Sequence, residues 1–317
     1  MNGFADSSAV MMFAAIPGPV SWAYFIFGVI FVTGLAAEFV GGDWHKTRGL
    51  DKLVLFGAMF YAAPIAAFGT EHFTQTQGIA SIVPGWIPWH YFWAYLVGAC
   101  FIAAGLSLVT KIEARLAASL LAVTFFLFVV LMDAPGWAQN PRDRFSAAVM
   151  LRELSFGAGA LALAVTLTGE VRERVTLTLA TVARYVIAVS VLYYSFEQFM
   201  HAKHVPGIPL EMVTPTWLWG HIAWTYLAAA VYAVAGILLI AGWKTRTVAT
   251  WLGVTVLFLV VVVYIPIGVV ERASLEGFNY LADTLMYCGA ILMLAGAMPH
   301  EAEGLKESAL KKQVLYE

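Results

Sequence analysis

The chain has 317 residues, of which 61% are hydrophobic and 12% are charged, with a formal net charge of −2. Soluble domains carry about 25% charged residues, so this composition excludes an ordinary soluble globular protein. The small negative net charge and the lack of a basic cluster exclude a nucleic-acid-binding surface. Cys100 and Cys288 both lie in apolar stretches without a CxxC motif, which indicates buried reduced thiols.

Apolar stretches of the length that crosses a bilayer, about 17–25 residues, follow one another along the whole chain. Residues 1–18 come first and lack the basic start of a secretory signal, so no cleavage is predicted. Residues 300–317 form a polar tail. The predicted fold is an all-α polytopic membrane protein with spans near 19–40, 51–70, 89–109, 113–132, 146–168, 175–198, 217–241, 246–268 and 278–297.

One stretch of the chain occurs twice without a gap, at a constant offset of 131 positions. It contains a turn rich in Pro and Trp, an apolar span with a His near its start, and a short basic turn. Such self-similarity indicates one structural unit used twice. The matched residues are Pro84, Trp86, His90, Trp93, Tyr95, Gly105 and Arg115, which recur as Pro215, Trp217, His221, Trp224, Tyr226, Gly236 and Arg246.

The repeat extends in both directions. Pro135 matches Pro266 at the same offset, Glu71 matches Glu197 at 126, and the Glu153 segment aligns with the Asp283 segment at 130. The second copy therefore has five more residues in the loop before its Pro/Trp turn. The predicted organisation is an N-terminal segment with the first helix, two four-helix repeats and a tail, with boundaries at 1–48, 49–172, 173–298 and 299–317.

The basic residues predict the orientation in the membrane. Loops on one side hold 13 of the 18 Lys and Arg residues and loops on the other side hold 5. Because Lys and Arg are retained in the cytoplasm, the N-terminus is predicted outside and the C-terminus inside. Both repeats then start from the cytoplasm and run parallel, related by a pseudo-twofold axis normal to the membrane. Their matching helices either face each other or form two equivalent bundles side by side.

Polar side chains are costly inside a bilayer, so those present point to function. Each copy carries a carboxylate on its first helix, a His on its second and a carboxylate on its fourth, all near the outer ends. A carboxylate beside an imidazole can act as a general acid or base. We therefore predict an outward-facing catalytic pocket in each repeat, or, alternatively, carboxylates that cap separate helix ends. The candidates are Glu71, His90 and Glu153, and Glu197, His221 and Asp283.

The outer side also holds most of the histidines and tryptophans. His201 and His204, three positions apart, are candidate metal ligands, with an interfacial loop as the alternative. His90 and His221 as axial ligands of a haem are a further alternative. The tryptophans of the two turns are either interfacial anchors or the mouth of a site for a flat apolar ligand such as a quinone. These tryptophans are Trp86, Trp93, Trp217 and Trp224.

The repeated pattern also resembles a known family. The segments on which the resemblance rests are Phe68-Gly-Thr-Glu-His-Phe73, the Pro84-Gly-Trp-Ile-Pro turn, and the stretches 105–117 and 235–246. They resemble the DoxX family of small four-helix membrane proteins, which implies two DoxX-like repeats plus one N-terminal helix. Some DoxX proteins are membrane subunits linked to quinone-dependent sulfur oxidation or to redox protection. The arrangement is also distantly similar to four-helix sterol-isomerase bundles, which place acidic residues and a His in a lipid-facing pocket.

Three functions follow as alternatives. The first is a redox-linked subunit of the bacterial inner membrane, which binds a quinone-like molecule near the outer face and meets partner redox subunits. The second is an acid–base enzyme acting on a lipid or isoprenoid, with Glu153 or Asp283 as proton donor. The third is a non-catalytic scaffold that packs against partner membrane subunits. Each is embedded in the lipid bilayer, and none involves nucleic acid.

Overall fold

The computed structural model describes residues 18–168, 173–208 and 211–299, without the side chains of 173, 174 and 221. Regular structure in these ranges is helical, apart from one bridge between His204 and Val213. The prediction of nine membrane-length helices is confirmed for the described residues. They are α1 (Gly18–Val40), α2 (Asp51–Thr74), α3 (His90–Thr110), α4 (Ala114–Gln139), α5 (Arg144–Thr166), α6 (Val175–Met200), α7 (Ile222–Ala241), α8 (Thr245–Val270) and α9 (Leu275–Ala297). The predicted N-terminal segment and tail lie mostly outside the described residues.

The helices of the two repeats pair in the same way and interleave. Within each repeat the first helix packs on the second and the third on the fourth, so α2–α3 and α4–α5 correspond to α6–α7 and α8–α9. Between repeats, α2 packs against α9, α6 packs against α5, and the fourth helices α5 and α9 pack on each other. One apolar core runs through both repeats. The two units thus form one eight-helix body, with α1 added against α2 and α3.

Backbone conformation repeats with the sequence. Six of the nine described residues with positive φ form pairs 131 positions apart, at Trp89 and Gly220, Lys111 and Gly242, and Glu113 and Lys244. The indole of Trp93 donates to Pro88 O at 3.0 Å, and the indole of Trp224 donates to Trp219 O at 2.8 Å. The Pro/Trp turn is therefore closed by the same hydrogen bond in both copies.

The third helix of each repeat contains a wide turn near its end. A π-helical turn spans Val129–Asp133 in α4 and Val260–Tyr264 in α8, two residues before Pro135 and Pro266. Proline lacks the N–H that would continue the regular helix ladder, and π turns absorb such interruptions. Asp133 and Tyr264 end these turns and occupy equivalent positions.

The fourth helices correct one detail of the predicted alignment. α5 begins after its N-cap Asp143 and α9 begins after its N-cap Ser274, and both helices have 23 residues. The offset is thus 131, so Asp283 is equivalent to Arg152 and the predicted match with Glu153 is wrong by one residue. A Cβ placed on Gly159 would lie 2.4 Å from the Ala290 Cβ, so these equivalent residues meet where α5 crosses α9. The predicted offset of 130 arose because small-residue pairs such as Gly159-Ala160 and Gly289-Ala290 also match at that offset.

Candidate functional site

A cleft of about 670 Å³ lies between α2, α4, α5 and α9, near the end of the body that holds the Pro/Trp turns. Its apolar wall is aromatic and includes Phe101, Phe125, Phe128 and Phe156. Its polar lining gathers charged groups from α2, α5 and α9, together with one carboxylate from the loop before the second Pro/Trp turn. These polar residues are Glu71, His72, Arg152, Glu153, Glu211, Glu276, Asn279 and Asp283. Three of the predicted site carboxylates, Glu71, Glu153 and Asp283, therefore share one cleft that both repeats build.

An ion pair crosses from one repeat to the other inside this cleft. Arg152 Nη1 donates to Asp283 Oδ2 at 2.5 Å, and Arg152 Nη2 lies 3.9 Å from Glu153 Oε1. The side chains of Arg152 and Asp283 are 17% and 8% exposed. Arg152 and Asp283 are equivalent residues, so their pair lies at the pseudo-twofold axis. Asp283 is therefore engaged by a guanidinium and is a poor candidate for a free acid.

The second feature is a pair of carboxyl groups. The side chain of Glu153 on α5 lies next to that of Asp133, which ends the π turn of α4. A hydrogen bond between two carboxyl groups requires a proton on one of them, since an ionised carboxylate only accepts. The two groups can therefore share a proton when one of them is protonated. Asp133 was not among the predicted residues, although it is the only acidic residue in the sequence of α4 and precedes a repeated proline.

Glu71 and His72 bring the polar groups of α2. Asn279 Nδ2 donates to Glu71 Oε2 at 3.3 Å. His72 Nδ1 lies 2.8 Å from Phe68 O, and because a carbonyl only accepts, Nδ1 carries the hydrogen. The Nε2 of the neutral ring is then an acceptor available to the cleft. His72 lines the cleft, whereas the predicted His90 is not among the residues that line it.

Several buried polar atoms around the cleft have no protein partner. They are Glu71 Oε1, Glu153 Oε2, Asn279 Oδ1, Asp133 Oδ2 and Arg152 Nε. More than 90% of buried polar groups in proteins are hydrogen-bonded, so such a cluster marks a place where water or a ligand binds. Four of the five atoms are oxygens.

An apolar groove of about 440 Å³ adjoins the cleft. Its walls come from the short helix Thr76–Ile82, the Pro84 turn, α3 and α4, and they include Trp93. Six residues line both spaces: His72, Ile79, Ile82, Phe101, Phe128 and Met132. The polar cleft therefore continues directly into an apolar groove.

In the second repeat the chain itself fills the equivalent space. Residues 205–208 are fully or nearly fully buried. A Cβ placed on Gly207 would lie 3.5 Å from Tyr264 Oη, 3.6 Å from Leu259 and 3.7 Å from Tyr232 Oη. These three residues are equivalent to Asp133, Phe128 and Phe101, of which Phe128 and Phe101 line the open cleft and Asp133 follows the lining residue Met132. We call residues 205–208 the plug. The loop that contains it is the one the sequence shows to be five residues longer.

Three hydrogen bonds from side chains of α6 and α8 hold the plug. Gln198 Nε2 donates to Gly207 O at 3.1 Å and Gln198 Oε1 accepts from Gly207 N at 3.1 Å. Tyr264 Oη donates to Pro206 O at 2.5 Å. Gly207 has a φ of +106°, a conformation that favours glycine. Gln198 also donates to Tyr194 O, the equivalent of the His72 bond to Phe68 O. Gln198 is thus the counterpart of His72, and the two predicted pockets become one open cleft and one filled cleft.

Of the residues predicted for the second repeat, Asp283 lines the open cleft, whereas Glu197, His201 and His204 are not among its lining residues. Glu197 accepts from Arg144 Nε at 2.9 Å and lies 3.2 Å from His201 Nδ1. The rings of His201 and His204 are 6.0 Å apart, and His204 Nδ1 donates to His201 O. No group of three or more His, Cys, Asp and Glu residues with a metal-binding arrangement occurs within the described residues. The His221 side chain lies outside them.

The four candidate tryptophans separate into two kinds. Trp93 lines the apolar groove. Trp86 and Trp217 are 71% and 51% exposed at the tips of their turns, as expected for anchors at a membrane interface. Trp224 packs edge-on against Trp219. Of the four, Trp93 is the one that borders a ligand-sized space.

Comparison with protein-family models, curated proteins and solved structures found no match to this chain. The resemblance to DoxX proteins stays a prediction from the sequence. What the cleft can do follows from its own chemistry.

Proposed function

We propose that the protein binds a quinone-like amphiphile, with the polar head in the cleft and the apolar tail in the groove, as a redox-linked membrane subunit. The observation that carries this proposal is the junction of the two spaces through six shared residues. Small-molecule sites are mostly apolar with a few convergent polar groups, which describes this junction. The resemblance to DoxX membrane subunits supports the same reading.

The cleft contains groups that can accept the protons released when a quinol is oxidised. Oxidation of a quinol to a quinone releases two electrons and two protons. Glu153 and His72, which both line the cleft, are positioned to accept protons and pass them on. The electrons require a partner redox subunit as acceptor. With the orientation that the basic residues predict in the bacterial inner membrane, the protons leave on the outer side.

A second candidate is an acid–base enzyme that acts on a lipid or isoprenoid. The neighbouring carboxyl groups of Glu153 and Asp133 favour it, because a protonated carboxyl group in this pair could donate to a ligand in the cleft. Glu153 would be the donor, since Asp283 is bound to Arg152. This candidate predicts conversion of the ligand without any change in its oxidation state.

Matched variants of the two repeats test the proposal. Binding of a short-chain quinone and its quinol to the purified protein is followed through the fluorescence of Trp93, which lines the groove. Glu71→Gln should weaken binding by about tenfold, the value of one lost hydrogen bond to a charged group. The equivalent change, Glu197→Gln, removes a carboxylate bound to Arg144 outside the cleft and should leave binding unchanged.

Failure of the wild-type protein to bind either oxidation state would overturn the proposal. Binding with equal loss in both variants would assign the ligand to a place other than the cleft. An isoprenoid that is isomerised by the protein alone, with a loss of turnover in Glu153→Gln, would support the acid–base enzyme instead.

A further inference from the structure

We infer that the head group recognised by the open cleft is a hydrogen-bond donor, such as the hydroxyl of a quinol or a protonated amine, and not a carbonyl. This inference rests on the proposed function, because it specifies the head of the same ligand. Two independent observations lead to it: the way the plug is held in the filled cleft, and the unpartnered atoms of the open one.

The plug shows which groups face an occupant at each position. In the filled cleft, Tyr264 and Gln198 donate to carbonyl oxygens of the plug, and Gln198 also accepts from Gly207 N. In the open cleft the equivalent residues are Asp133 and His72. Asp133 only accepts when it is ionised, and His72 has already committed its Nδ1 hydrogen to Phe68 O. The two positions that donate to carbonyls in one repeat therefore present acceptors in the other.

The unpartnered atoms of the cleft lining lead to the same conclusion. Glu71 Oε1, Glu153 Oε2 and Asn279 Oδ1 are acceptors without a donor, against one unpartnered donor, Arg152 Nε. Glu71 is 9% exposed, so bulk water does not satisfy it freely. A ligand with hydroxyl or ammonium hydrogens pairs with these oxygens, whereas a carbonyl head would bring another acceptor against them.

The charge of the lining favours the same class of head. Within the described residues, the cleft is lined by one basic side chain, Arg152, which Asp283 engages. The carboxylates of Glu71, Glu153, Glu211 and Glu276 also line it, and Glu211 is bound to Arg144. Loss of a hydrogen bond to a site built to receive it reduces binding strongly, because the buried polar groups of the site are then left unpaired.

The filled cleft sets the stoichiometry. The plug occupies the space next to Tyr232, Leu259 and Tyr264, which corresponds to the ligand space of the open cleft. We therefore expect one ligand per chain, although the sequence contains the unit twice.

A ligand series tests the inference on the unaltered protein. Isothermal titration or fluorescence quenching would measure an alkyl hydroquinone, its dimethyl ether, the corresponding alkyl benzoquinone and an alkylammonium ion with the same tail. The hydroquinone should bind on the order of tenfold more tightly than the ether and the quinone, at one site per chain. Comparison of the alkylammonium ion with the hydroquinone distinguishes a cationic head group from a hydroxyl head group. Tighter binding of the hydroquinone or of the alkylammonium ion than of the ether supports a hydrogen-bond donor as the head group.

Equal affinity for the hydroquinone, the ether, the quinone and the ammonium ion would overturn the inference while leaving the proposed function intact. Absence of binding by the whole series would overturn both. In Asp133→Asn, which places a donor beside the cleft, the preference for hydroquinone over quinone should shrink. Asp43→Asn makes the same chemical change at a carboxylate that contacts Lys111 away from the cleft, and should keep the preference.

Discussion

Replacing Arg152 by Met should destabilise the protein by about 3–5 kcal/mol, the usual cost of removing one partner from a buried ion pair. The gross attraction at the 2.5 Å separation of Nη1 and Oδ2 is about 7 kcal/mol for an effective dielectric constant of about 20. Desolvation of the two groups offsets most of that attraction in the intact pair. Once Arg152 is gone, Asp283 stays buried without a counter-ion, and its desolvation is no longer compensated.

A double-mutant cycle measures this coupling. Arg152→Met, Asp283→Leu and the double variant would be unfolded in mixed detergent micelles by titration with a denaturing detergent. Removal of both charges leaves no orphaned ion, so the double variant should lie within about 1–2 kcal/mol of the wild type. Asp283→Leu alone should also cost about 3–5 kcal/mol. The coupling energy should then be about 4 kcal/mol or more in magnitude, which exceeds the range of about 0.5–3 kcal/mol usual for contacting residues.

The result that would refute this reasoning is additivity. If the losses of the single variants simply sum in the double variant, Arg152 and Asp283 do not depend on each other. A loss below about 1 kcal/mol for Arg152→Met would likewise show that water in the cleft solvates the remaining carboxylate as well as the guanidinium does.

Two further predictions concern stability. Gly159→Ala should lower the free energy of unfolding by about 1–3 kcal/mol, because its Cβ would lie 2.4 Å from the Ala290 Cβ. As a control, Gly28→Ala, in open space on α1, should be neutral or stabilising by up to about 1 kcal/mol. Similar values for the two variants would contradict the close crossing. The Ser146 hydroxyl, which donates to the N-cap Asp143, lowers the pKa of that carboxyl group, and backbone N–H donors add to the effect. Because the pKa is lower in the folded state, the cap stabilises the fold above the pKa of the unfolded chain. This stabilisation is lost as pH falls through the pKa of the folded state. The destabilisation by Asp143→Ala should therefore shrink below about pH 4, while that by Ser274→Ala, at the equivalent cap, should not change with pH; parallel pH profiles would count against the cap.

Much of the fold was predictable because it depends on local pattern. The apolar stretches predicted the nine spans, and the offset of 131 predicted the turns that Trp93 and Trp224 close in the same way. The interleaving of the repeats was not predictable, because it depends on contacts between helices far apart in sequence. Which helices meet at an interface is decided by shape and packing, which the order of residues along one chain does not show.

The site was predictable in part. Glu71, Glu153 and Asp283 do line one cleft, since charged groups at the ends of membrane helices are cheapest when they converge. His72 was overlooked in favour of His90 because His90 recurs in the second repeat and His72 does not. That difference was the informative signal: Gln198, the counterpart of His72, holds the plug instead. A search for identical residues in the two repeats therefore favours shared architecture over the positions where one copy has a specialised role.

The ion pair between Arg152 and Asp283 also bears on how such a chain differs from a dimer. In a symmetric homodimer, a residue next to the twofold axis faces its own copy, so an arginine there would oppose an arginine. Like charges at that distance repel, and no single substitution in an identical pair can make them complementary. Covalent fusion of two copies removes this restriction, because each half can then change alone. The pair of opposite charges at the centre, and the difference between the open and the filled cleft, are asymmetries that an identical pair of subunits does not allow and that two diverged halves of one chain do allow.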